Sequence, residues 1–135
     1  MRVVIDTIVF ISSFITPGTL SKIIDLWKKG RITLCLSKPI VEEYLEVLKQ
    51  LGLEDEQMVD EILLLFGRGF NSIFTAKTSN FQIFEENPHD DKFFQCAVAL
   101  KARYIISGDK AILAIDDYVG IKVVTPKQFV DLMDA

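Results

Sequence analysis

Four acids in this sequence stand where a carboxylate needs a reason: Asp6, Glu43, Asp91 and Asp109. Asp6 closes the apolar run VVID and Asp109 closes YIISGD. An acid in such surroundings is costly unless something pairs with it. Glu43 lies on the shoulder of an apolar helical stripe formed by Ile40, Tyr44, Val47 and Leu51, while Glu42, Glu46 and Lys49 fall away towards water. In NPHDDKFFQ two acids open an apolar stretch. Asp90 is placed to cap the helix that follows. Asp91, at the first helical position, would gain only about 0.3 kcal/mol from the helix dipole. Asp91 is therefore the ligand candidate, with Asp90 second in rank. Carboxylates gathered in a small volume raise one another's pKa unless a cation joins them. Oxygen-only ligation suits Mg2+ or Mn2+, and two divalent ions would cancel the formal charge of the four acids. Such a site can activate water and stabilise the leaving oxygen of a phosphodiester. Each acid also has a plainer use: Asp6 and Asp109 as caps at strand exits, Glu43 as a wetted boundary residue.

The elements that must position these acids follow from the pattern. RVVID, RITLCLS, ARYIISGD and IKVVTP are short, apolar and β-branched, with no alternation, as expected of strands buried on both faces. Helices are predicted from Leu20 to Gly30, from Ser37 as cap to about Gln50, through EDEQMVDEILLLFGRGF, from Asp90 to near Lys101, over 110–115, and through KQFVDLMD. TPGT is a turn. Residues 70–86 are the least readable, with FQIF as a short extended piece. Helices alternating with such strands predict an α/β fold with a mostly parallel sheet covered on both faces. In that architecture reactive groups sit beyond the carboxyl ends of the strands.

With 135 residues, 50% hydrophobic and 25% charged, the chain makes one domain over 1–135. A net charge of −4 excludes binding nucleic acid through a general basic surface. Cys35 and Cys96 lie in apolar runs and read as buried thiols in a reducing, cytoplasmic setting. Asp6 interrupts the N-terminal apolar run, which argues against a signal peptide, and no run approaches the roughly 18 apolar residues of a membrane span.

The order VVIDT, LSKPIVEEYLEVL, PHDDKFFQCAVALKARYIISGDKAIL, IKVVTPKQFVDLM resembles a PIN domain, and within that family the branch of toxin components of toxin–antitoxin pairs. The resemblance runs nearly end to end and is weakest over 52–86. It implies a compact three-layer α/β/α domain, a Mg2+- or Mn2+-dependent ribonuclease acting on RNA, a small antitoxin partner and a homodimer. Residue by residue, the family's acids fall on Asp6, Glu43, Asp91 and Asp109. Thr7 and Ser107 match polar positions beside them, and Lys110 is placed to meet a phosphate. Three positions depart from the pattern: Ile8 stands where the family usually has Asn, Asn87 where this branch often has Asp, and Ala111 where a second acid often follows SGDK. The alternative to a ribonuclease is thus a catalytically weakened or inactive module of the same fold, holding RNA or a partner protein.

The remaining features have plainer readings. His89 is an exposed turn residue. Trp27 serves core or dimer packing more readily than base stacking. Lys28, Lys29 and Arg31 form either a solvated face or an RNA-backbone contact. A phosphoacceptor receiver domain would need an acid pair after the first strand, and a haloacid-dehalogenase-like phosphatase would need Asp-x-Asp there; Thr7 and Ile8 exclude both.

Overall fold

The runs without alternation become the inner strands of one sheet. In a computed structural model, which describes residues 1–134, β1 (Arg2–Ile5) pairs in parallel with β2 (Thr33–Ser37) on one side and β4 (Tyr104–Ile106) on the other. β3 (Ser72–Thr75) extends the sheet beyond β2, and β6 (Ile121–Val124) extends it beyond β4. β5 (Asp117–Tyr118) closes the far edge as an antiparallel partner of β6, so the order is β3-β2-β1-β4-β6-β5. Val3, Val4, Leu34, Cys35, Ile105 and Ile106 are fully buried, which is what runs covered on both faces predict.

Helices cover the sheet: α1 (Thr7–Ile15), α2 (Thr19–Lys28), α3 (Lys38–Gln50), α4 (Gln57–Gly67), α5 (Asp91–Ala99), α6 (Lys110–Leu113) and α7 (Pro126–Asp134). Gly18, at φ +88°, supplies the backbone turn that starts α2. α1 packs on α2 and α3, and α2 on α7, while α5 lies against β1, β2 and β4. Right-handed crossovers put the β1-to-β2 and β3-to-β4 connections on opposite faces, because they travel in opposite directions across the sheet. This is the expected three-layer α/β/α arrangement.

An aromatic cluster joins the helices on the first face. Phe10 of α1 stacks on Tyr44 of α3 at 4.3 Å and 7°, with Phe66 also stacked at 5.8 Å and Trp27 edge-on. Trp27 is wholly buried and its indole N–H donates to the Asn71 carbonyl at 3.1 Å, so it is a core residue. Cys35 and Cys96 are buried free thiols, pushed up to about 11 and about 12 by desolvation.

Several expectations required correction. Residues 7–15, unassigned from sequence, form α1; apolar nearly throughout, the segment shows no stripe. β3 falls inside the unreadable region, where partial exposure of an edge strand weakens the pattern. FQIF is not a strand: the Ile83 and Phe84 amides donate to a side chain, Asp91, instead of to a neighbouring strand. The buried stripe of α3 is Ile40, Tyr44 and Leu48; Leu51 is 55% exposed. No single helix among the described residues is long and apolar enough to cross a membrane.

Candidate active site

Connections leaving β1 lead to β2, whereas those leaving β4 lead to β6, so the crevice between the carboxyl ends of β1 and β4 is the switch point of the sheet. A cavity of about 310 Å³ opens there, lined by Asp6, Thr7, Glu43, Asp90 and Asp109, with Ile8, Val9, Phe93 and Ile112 as its apolar walls.

Asp6 leaves β1 in extended conformation and caps α1: its Oδ1 accepts the Val9 amide at 2.9 Å. Its Oδ2 accepts the hydroxyl of Ser107, which follows β4. Asp109 caps α6 in turn, its Oδ1 accepting the Ala111 and Ile112 amides at 2.8 and 3.2 Å. Its own amide donates to Ser107 Oγ at 3.0 Å. Ser107 is fully buried, so the expected substrate contact is instead a pin between the two strand-end acids. Burial raises the Asp6 pKa, with Asp109 adding repulsion; hydrogen bonds from Ser107, Val9 and Gly108 oppose that rise.

Glu43 reaches the cavity because its neighbour is anchored. The buried Tyr44 hydroxyl donates to the carbonyl of Ile5, the last residue of β1. That bond fixes the first turns of α3 over the strand end. Glu43 then accepts the Thr7 hydroxyl on Oε2 and the Lys92 ammonium on Oε1, the latter at 2.5 Å. Thr7, expected to meet substrate, positions Glu43. Lys110 is exposed at the start of α6.

The acids at 90 and 91 have places opposite to those expected. Asp91 is only 5% exposed, and its Oδ1 accepts the Ile83 and Phe84 amides, both at 3.0 Å. It fastens the 81–84 loop to α5, helped by Gln95, whose side-chain amide donates to the Phe81 carbonyl at 2.8 Å. Asp90 sits at the end of a 3-10 turn (Pro88–Asp90) and makes no cap hydrogen bond; it lines the cavity. Its Oδ2 is buried without a partner. Desolvation first, then Asp109 and Glu43, raise its pKa, while Lys92 lowers it.

Lys92 was missed from sequence. A signal existed: a cation in the first turn of a helix opposes the dipole and so calls for a partner. His89 is exposed. Lys28 pairs with Glu61 at 2.8 Å, and Arg31 donates to the Met133 carbonyl at 3.2 Å. This basic run precedes β2 and therefore lies at the amino ends of the strands, across the sheet from the cavity.

The PIN-domain family matches residues 2–111. The chain belongs to the PIN-domain family. It is also 33% identical, over 146 aligned positions covering 97% of this chain and 90% of the relative, to "Uncharacterized protein MJ1680" of Methanocaldococcus jannaschii. PIN domains are in general nucleases that use divalent metals, which agrees with a carboxylate-lined cavity at the switch point.

Among the described residues, no three Asp, Glu, His or Cys side chains are close enough as they stand to hold an ion between them. The donor set nevertheless suits a hard divalent cation. It is all oxygen, it holds a buried carboxylate oxygen with no partner, and the pKa values of Asp6 and Asp90 are raised, first by burial and then by neighbouring carboxylates.

Proposed function

We propose that this PIN domain is a metal-dependent endoribonuclease that cleaves RNA phosphodiesters, as the toxin component of a toxin–antitoxin pair. The observation that carries the reading is the unpartnered Asp90 Oδ2, in a cavity that Asp90 shares with Asp6 and Asp109, each from a separate segment. Mg2+ or Mn2+ held by these three carboxylates would supply Lewis acidity and neutralise phosphate charge at the scissile bond. The chain's own residues do the rest. Ser107 holds Asp6 and the Asp109 backbone in register, Thr7 turns Glu43 inward, and Val9, Phe93 and Ile112 form the dry wall that strengthens charge interactions. Without a cation, this acidic cavity would repel an RNA phosphate.

The test is cleavage of a fluorescent single-stranded RNA with Mn2+ or Mg2+. We expect cleavage that chelation stops and that Asp6→Asn and Asp90→Asn abolish. Cleavage that survives chelation, or that both variants retain, would overturn the reading. A second reading, RNA binding without cleavage, is favoured by Ile8, 62% exposed at the cavity mouth where the family usually has an amide side chain. Metal and RNA binding with no cleavage would select it. The same toxin reading brings a small antitoxin protein and a second copy as partners, for which co-expression and light scattering are the measurements.

A further inference from the structure

One cation is built into this acidic site. Lys92 is the second residue of α5, where the dipole opposes a positive charge. Its side chain is nonetheless only 15% exposed, and its ammonium lies 2.5 Å from Glu43 Oε1, on a carboxylate itself 28% exposed. The other Glu43 oxygen accepts the Thr7 hydroxyl, so both are engaged. Asp90 and Asp109, which share the cavity with Glu43, differ. Asp90 Oδ2 has no partner, and the capping bonds of Asp109 both fall on Oδ1. Unengaged carboxylate oxygen in the cavity therefore lies on Asp90 and Asp109; both oxygens of Asp6 accept bonds, as those of Glu43 do, but only Glu43 holds a cation. A divalent ion approaching Glu43 would meet a like charge already seated there.

We propose that Lys92 is the resident cation of Glu43 and stands in the place of a second divalent ion. The site then takes one ion, centred on Asp90 and Asp109 with Asp6 beside them, and Glu43 is an ion-paired positioning group. This rests on the metal-dependent reading above. The pair is half-buried, and removing one partner from such a pair leaves an uncompensated charge that seeks another. For Glu43 in that state, the available replacement is a second metal ion.

Calorimetric titration of the full chain with Mn2+ tests this through stoichiometry, which a merely structural role for Lys92 would not alter. Wild type is expected to bind one Mn2+. Glu43→Gln, which keeps the Thr7 contact, should bind one as well, with affinity changed by no more than about threefold. Lys92→Met should take up a second Mn2+, Lys92→Arg should not, and the double variant Lys92→Met/Glu43→Gln should return to one. Two ions on wild type, loss of the ion in Glu43→Gln, or a single ion on Lys92→Met would each overturn the proposal while leaving metal dependence standing. No Mn2+ on wild type would overturn the metal-dependent reading and this inference with it. If Lys92→Met does not fold, Lys92→Gln takes its place with the same expected second ion.

Discussion

The exits of β1 and β4 and the entrance of α5 both deliver acids to the cavity, by different means. At the strand exits each acid caps the helix that follows and faces the site at once: Asp6 caps α1, Asp109 caps α6, and Ser107 ties them together. At the entrance of α5 the two tasks are divided between neighbours. Asp91 holds a loop by two amides and Asp90 faces the cavity with an oxygen to spare. A strand end gives its acid a fixed direction. A loop-to-helix junction does not, so a second acid is used to hold the junction in place.

The sharpest way to break this comparison is a pair of Asn variants. Asp90→Asn should lower RNA cleavage by about 100-fold or more, the scale for removing a charge that acts on the transition state. Asp91→Asn keeps an oxygen for the Ile83 and Phe84 amides and should retain cleavage within about tenfold, the lower end of supporting-shell effects. Equal losses would erase the division between the neighbours. Next in size is stability. Asp91→Ala leaves two loop amides without their acceptor and should cost about 2–3 kcal/mol in denaturant unfolding. Asp90→Ala removes an unpartnered carboxylate and should leave the midpoint unchanged or raised.

A pH series sharpens the electrostatic side. The pKa values of Asp6 and Asp90 are raised above the ordinary 3.8, each mainly by burial. As pH rises through the interval above 3.8, the native state holds protons that the unfolded chain has released, so stability falls with rising pH. We expect metal-free protein to lose stability across that interval, Asp90→Asn to flatten the loss, and Mn2+ to reverse it; thermal melts at stepped pH measure all three. The smallest effect belongs to Ile8→Asn. It restores a polar group at an exposed position of the mouth and should raise cleavage or Mn2+ affinity by about threefold, with stability unchanged within about 0.5 kcal/mol.

What was legible follows the same division. The four inner strands, most of the helices and the places of Asp6 and Asp109 were readable because a buried parallel sheet imposes unbroken apolar runs and puts reactive groups at their carboxyl ends. Glu43 was readable as a shoulder residue, although the stripe beside it is buried at Leu48, with Val47 only partly buried and Leu51 exposed. The exchange of Asp90 and Asp91 was not readable. Dipole and capping rules weigh a helix against water, whereas Asp91 is held by amides of a loop whose path no local pattern reveals. α1 escaped for the opposite reason: it is so apolar that it has no polar side to reveal its period.

The Tyr44 hydroxyl on the Ile5 carbonyl has a consequence in time. It crosses from the stacked aromatic core to the last residue before Asp6, so the floor of the cavity opens only when that core opens. Amide protons at Asp6 and Val9, bonded to Ile106 and to the Asp6 side chain, should therefore exchange with solvent only as slowly as the whole domain unfolds. Those of the 76–80 loop should exchange far sooner.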